Sequence, residues 1–196
     1  MEKRIKWSID PTHSDIGFKV KHLMIAYVKG AFKIFDASIY TNGKDFTTAD
    51  IDVSIDVASI NTGDEKRDNH LKSSDFFDAE NHAQITFASQ GIEKPDKHSN
   101  QELWGKLTMR GITKTIQLKV QFWGITTGPE GNEVAGLAVT GQIKRSDWGL
   151  QWNSFLETGG LMVSDEVDIG CEIELINTST KDAALELQSE NEKDAV

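Results

Sequence analysis

The chain has 196 residues, and its 21 lysines and arginines against 31 aspartates and glutamates leave a formal net charge of −10. That acidity repels phosphate backbones and excludes general nucleic-acid binding, while a single cysteine, Cys171, excludes an internal disulfide framework and any multi-cysteine metal centre. No stretch approaches the roughly 20 apolar residues of a membrane-spanning helix, and a chain of this length buries enough apolar surface to fold as one domain without a staple.

The first residues, Met1 to Trp7, carry positive charge with no apolar segment behind them. No signal peptide is expected on that pattern, which points to the cytoplasm. From there period two dominates. A strand is expected at 14–22, where Ile16, Phe18 and Val20 share a parity, and another at 28–41 with Phe32 and Ile34. At 49–57, Ile51, Val53, Ile55 and Val57 alternate with Asp50, Asp52, Ser54 and Asp56. Residues 60–82 lose the alternation, and a short helix is expected around 64–72. Ile85 and Phe87 mark a strand at 83–90; Leu103, Leu107 and Met109 mark one at 101–110. Gly111 suits a tight connection to 113–123, where Ile116, Leu118, Val120 and Phe122 alternate with polar residues. A turn at 128–132 (GPEGN) leads into 133–144, with Leu137, Val139 and Ile143 on one face. Residues 145–165 form a second interruption, rich in aromatics. The last strand, 166–176, alternates Val167, Ile169, Cys171, Ile173 and Leu175 with acids and Gly170. The remainder, 177–196, reads as an acidic, solvated polar tail, so the domain proper is 5–176.

Eight strands with one dry and one wet face are expected to form an antiparallel β-barrel, which removes exposed sheet edges. The short helix belongs to a loop. A barrel of eight strands is either filled by its own side chains or wide enough for one small ligand. If the lumen is left open, its apolar lining suits a lipid tail. The candidate lining on the inward parity is Phe18, Val20, Phe32, Ile85, Phe87, Leu107, Met109, Val120, Phe122, Leu137 and Val139. The two interruptions add Phe76, Phe77, Trp148, Trp152 and Phe155, as contacts to a ligand or as plugs of the barrel end. Ser14 and His22, on the inward parity of the first expected strand, are candidates to meet a polar head group or simply mark the rim.

Acid–base chemistry has one candidate cluster, Arg67, Asp68 and His70. No nucleophile motif accompanies it, so an ion cluster that fixes the loop is the plainer reading and no catalytic residue is assigned. The five histidines show no metal-ligand spacing, and neither metal nor cofactor is expected. Arg110, Lys114 and Arg145 read as solvated. Trp104 and Trp123 fall on the outward parity; a loop or a second subunit would cover them, which leaves a homodimer open.

Six motifs in order resemble the YceI-like family of bacterial proteins. They are Trp7-Ser8-Ile9-Asp10 with His13-Ser14 and Ile16 to His22; Val28-Lys29-Gly30-Ala31-Phe32; Arg67 to Asp78 followed by Ile85-Thr86-Phe87; Gly105 to Lys114; Arg145-Ser146-Asp147-Trp148-Gly149-Leu150; and Val163 to Val167. The resemblance implies a lipocalin-like barrel with a long hydrophobic cavity that binds, transports or stores a polyisoprenoid, a quinone-like molecule or another long-chain lipid without catalysis. It also implies a periplasmic location, the alternative to the cytoplasmic one above. The competing expectation is an enzyme acting on an isoprenoid-type substrate through His70 and Asp68. A third is an interaction module whose outer face binds a partner.

Overall fold

The computed structural model describes residues 3–94, 100–154 and 162–179. Its strands are β1 (Arg4–Ile9), β2 (Asp15–His22), β3 (Ala26–Phe32), β4 (Phe35–Asn42), β5 (Asp45–Asp56), β6 (Ile60–Asn61), β7 (Gln84–Ile92), β8 (Asn100–Met109), β9 (Ile112–Thr127), β10 (Glu133–Lys144) and β11 (Val163–Asn177). One α-helix, α1, spans Glu65–Lys72.

All pairings are antiparallel, and the order β1-β4-β5-β7-β8-β9-β10-β11 returns to β1. The ring therefore closes over eight positions. β11 is long enough to serve two partners. Its Val163–Glu172 portion pairs with β2, and Leu175–Asn177 pairs with β1. β1 and β2 thus occupy one position in the wall, interrupted at residues 10–14. β4 beside β1 and β3 beside β2 occupy the next.

The eight expected strands are present, with three differences, the smallest being the two-residue β6 inside the expected interruption 60–82. The stretch 28–41 is broken at Lys33–Ile34, where the Lys33 N–H leaves the ladder and donates to Ser59, to its carbonyl at 3.2 Å and its hydroxyl at 3.1 Å. β1 is additional: Ile5, Trp7 and Ile9 alternate with Lys6 and Ser8, but the run is only 6 residues long. The helix starts because Asp64 caps it, accepting from the Arg67 N–H at 2.9 Å. Glu65 and Asp68 in its first turn and His70 and Lys72 in its last suit the helix dipole.

The strands run between two ends. At one end lie Trp7, Phe46 and Ala135; at the other lie α1, the β2–β3 turn and residues 145–152. The buried apolar residues form two clusters that match these ends. Ile51, Val53, Ile92 and Leu137 touch both and mark the waist.

A one-ended apolar tunnel

Between the clusters runs a cavity of about 660 Å³. Its floor is made by aromatic stacking. Phe46 lies on Phe122 with ring centres 4.7 Å apart, and Trp7 packs on Phe46 at 5.2 Å. Trp7 is fully buried, and its indole N–H donates to the Thr41 hydroxyl at 2.9 Å; that hydroxyl donates to the Gly43 carbonyl at 2.7 Å. A buried indole needs such a partner, so the polar groups of the floor are satisfied within it.

The walls come from the inward parity of the strands. Phe18, Val20, Phe32, Ile85, Phe87, Leu107, Met109, Val120, Phe122, Leu137 and Val139 all line the cavity. So do Cys171 and Gln101. Burial pushes the Cys171 thiol up to about 11, which makes it a small apolar wall residue at neutral pH.

The lumen persists because three inward positions carry no side chain. A Cβ on Gly30 would collide with the Phe18 ring, one on Gly105 with the Phe87 ring, and one on Gly141 with a methyl of Leu118. Each large residue leans against bare backbone instead of crossing the tunnel. Glycine weakens a strand; here it converts that loss into free cross-section.

The opposite end is a mouth closed in part by rings. His70 meets Trp152 edge-on at 4.7 Å and Phe76 at 5.1 Å, and Phe76 lies 5.2 Å from Trp152. Phe77 meets Phe32 edge-on at 6.0 Å. Among the described residues, polar groups reach the lining only around this end and at Gln101: His22, Asp64, Lys66, Arg67, His70 and Arg145.

Several sequence expectations are corrected by placement. Trp148 is not part of the lining; it is buried behind the wall, donating its indole N–H to the Leu107 carbonyl at 3.1 Å. Ser14 is not in the tunnel either. It sits at the β1–β2 interruption, where its hydroxyl receives the Glu174 N–H at 3.0 Å and reaches the Glu174 carbonyl at 3.3 Å. Phe155 lies outside the described residues. The acid–base pair His70/Asp68 is not assembled. Asp68 is buried and accepts from the Thr62 N–H at 2.9 Å and the Thr62 hydroxyl at 2.5 Å, while His70 Nε2 is 3.0 Å from Asp75. The cluster holds the loop together, as its plainer reading has it: Arg67 also ties to Thr62, at 2.7 and 2.9 Å.

Arg145 is the largest departure. It is buried, not solvated. Its guanidinium donates to the carbonyls of Leu150 (2.5 Å), Trp152 (2.9 Å) and Ser164 (2.9 Å). Burial lowers its proton affinity from the ordinary arginine range, and Asp165 partly offsets this. Nothing in the local sequence announces this role, because the carbonyls that hold the side chain come from segments five to nineteen residues away. Gln101 is likewise missed: it lies on the inward parity of β8 opposite Val120, but its neighbours Asn100 and Glu102 are polar and the stretch shows no alternation there. Trp104 and Trp123 are exposed, as their parity requires.

The fold and the site define a lipocalin-like barrel with an apolar tunnel, floored at one end. The chain belongs to the YceI-like domain family, whose model matches residues 7–175. Among curated relatives it is 40% identical over 162 residues to UPF0312 protein SAS2572 of Staphylococcus aureus, covering 82% of this chain and 91% of that one. Among solved structures it is similar to the Campylobacter jejuni YCEI protein, with 36% identity, a TM-score of 0.67 and coverage of 86% of this chain and 95% of the other. A polyisoprenoid binding domain from Saccharophagus degradans shares the fold, with a TM-score of 0.62 at 16% identity over 87% of this chain and 98% of that one. No helix among the described residues is long and apolar enough to cross a membrane.

Proposed function

We propose that the barrel binds the tail of a polyisoprenoid or another long-chain amphiphile lengthwise, to carry or store it, and performs no chemistry on it. The observation that carries this reading is the apolar tunnel of about 660 Å³, kept clear by Gly30, Gly105 and Gly141. At about 30 Å³ for a water-sized group, it has room for roughly 20 methylene-sized groups. Each buried methylene contributes about 0.8 kcal/mol, so a five-carbon unit yields roughly 3–4 kcal/mol before association costs. The Saccharophagus degradans domain, described as polyisoprenoid binding, supports the tail class on the same fold. The tail would point to the Phe46–Phe122 floor, with a polar head beside His22, Lys66 and Arg67. His70 serves the ring cluster at the mouth, and its hydrogen-bond partner is Asp75, which speaks against a catalytic pair with Asp68.

The test is organic extraction of the purified protein followed by mass spectrometry, with titration of the stripped protein by quinones and prenyl phosphates. A co-purifying long-chain lipid, or saturable one-to-one binding, is expected. If repeated extractions release none and the titrations are flat, the tail-binding reading is wrong. A turnover lost in His70→Ala with lipid binding retained would favour the enzyme.

A further inference from the structure

The turn that joins β2 to β3 is built from residues that do not suit a turn. His22 pairs with Ala26 across the hairpin, so Leu23-Met24-Ile25 make the connection. Leu23 and Met24 hold left-handed φ angles of 52° and 59°, and the Ile25 N–H donates to the His22 carbonyl at 3.2 Å. Two successive positive-φ positions favour Asn-Gly, and residues with a Cβ are strained there. The tip is nevertheless apolar, with Met24 57% and Ile25 87% exposed. Neither turn stability nor core packing explains these side chains.

The residues behind the tip change character in a definite order. Tyr27 follows, half exposed on the outer face. Lys19 and Lys21 on the neighbouring strand stand 5.3 and 6.0 Å from its ring, and Lys29 pairs in register with Lys19. At about 3.3 Å per strand residue, Tyr27 lies roughly 7 Å behind Ile25 and Lys29 roughly 13 Å behind it. Apolar, then amphipathic aromatic, then cationic is the depth profile of a lipid interface, where helices and tips bury about 5–10 Å. Lys19 has an acidic neighbour, Asp168, at 3.6 Å; Lys21 and Lys29 have no carboxylate within ion-pair distance among the described residues. These lysines stand out on a chain of net charge −10.

The tip also adjoins the tunnel mouth. His22 and Val28, on either side of it, line the cavity. The Leu23 N–H donates at 2.8 Å to the carbonyl of Met162, another lining residue.

We propose that the Leu23–Ile25 tip docks the barrel on an anionic lipid bilayer, mouth towards the membrane, so that a tail passes between the bilayer and the tunnel without crossing water. Met24 and Ile25 enter the acyl boundary, Tyr27 sits at headgroup level, and Lys21 and Lys29 meet phosphates. The proposal concerns the outer surface and adds to the tail-binding reading.

Co-sedimentation of the full chain with phosphatidylglycerol–phosphatidylcholine vesicles, against pure phosphatidylcholine, tests it. Adsorption to the anionic vesicles is expected, weakened by salt. The variant Leu23→Asn/Met24→Gly/Ile25→Ser gives the turn the residues its φ angles favour, so its melting temperature should hold or rise while adsorption falls about tenfold or more. Lys21→Glu/Lys29→Glu should bring binding to anionic vesicles down towards the phosphatidylcholine level. The proposal is overturned if the wild type stays in the supernatant, if either variant adsorbs like the wild type, or if light scattering shows a dimer that the tip variant dissolves. Tail binding from ethanol solution, without vesicles, is read separately. Its loss in the wild type would refute the tunnel reading alone, and its survival in a tip variant that no longer adsorbs is the expected pattern.

Discussion

The two ends of the tunnel are made in opposite ways. The floor is held by strands close in space, by stacked rings and by one satisfied indole, and its polar groups face one another. The mouth is assembled from a helix of 8 residues, a 3-10 turn and loops, with charged side chains turned partly into the lumen. One end is a wall and the other a fitting. The strand-built half gives the cavity its shape, and on the tail-binding proposal the half with fewer strand contacts is the one expected to admit and release the tail.

Removing Trp7 is the heaviest blow to this contrast. Trp7→Ala is expected to cost about 3–5 kcal/mol in chemical denaturation, because it empties a fully buried site and removes the N–H that the Thr41 hydroxyl accepts. At the mouth the corresponding change is Arg145→Met. It leaves three carbonyls without their donor and is expected to cost about 2–3 kcal/mol, with faster tail release by fluorescence exchange. If the floor variant, while still folded, speeds release more than the mouth variant does, the assignment of exchange to the mouth is wrong.

Gly105→Ala acts between the two ends. Its new Cβ would collide with the Phe87 ring and the Ala88 carbonyl, so the ring is expected to shift towards the lumen, and overpacking of this kind costs about 1–3 kcal/mol. The sharper expectation is a fall in tail capacity with the fold retained, read by titration. An unchanged capacity would remove the glycines from the account of why the tunnel stays clear.

A smaller, pH-dependent effect belongs to the floor side. Hydrogen bonds from His13 and Thr12 hold the Asp10 carboxyl down to about 2. The folded chain therefore binds this proton less readily than the unfolded chain, whose aspartate titrates near 3.9. The contribution is complete above that value and lost as pH falls through the window down to about 2. His13 has the opposite sign: raised by Asp10, it stabilises fully below its unfolded value and less as pH rises through its folded one. Asp10→Asn should narrow its melting-temperature gap to wild type at both extremes, measured across a pH series. The smallest expected effect is on Cys171. With its thiol pushed up to about 11 by burial, alkylation at pH 8 should be slow, and slower when a tail is bound.

The walls were legible because a strand with one dry face writes its orientation into every second residue. β10 falls at 133–144 as expected, and the inward series from Phe18 to Val139 faces the lumen. The helix was legible from the loss of that period over 60–82, while its start at the Asp64 cap is read from the structure. The mouth was harder to read. Arg145 looks like any charged loop residue until the carbonyls of Leu150, Trp152 and Ser164 converge on it. Trp148 and Trp152 are four residues apart and equally aromatic, yet only Trp152 faces the tunnel, since a 3-10 turn ending at Gly149 with φ of 74° redirects the chain. Ser14 shares the parity of Ile16, but the β1–β2 interruption suspends parity there. Period two carries information only while the strand is unbroken.

The seam of the ring lies between Trp7 and Asn177. Nearly the whole chain must emerge from the ribosome before that seam can form, so nascent protein presents a half-rolled sheet with an adhesive margin. Long-range closures of this sort are slow. Deleting β1 would leave that margin permanently uncovered, and the expected result is aggregation during synthesis, before any loss of cargo could be measured.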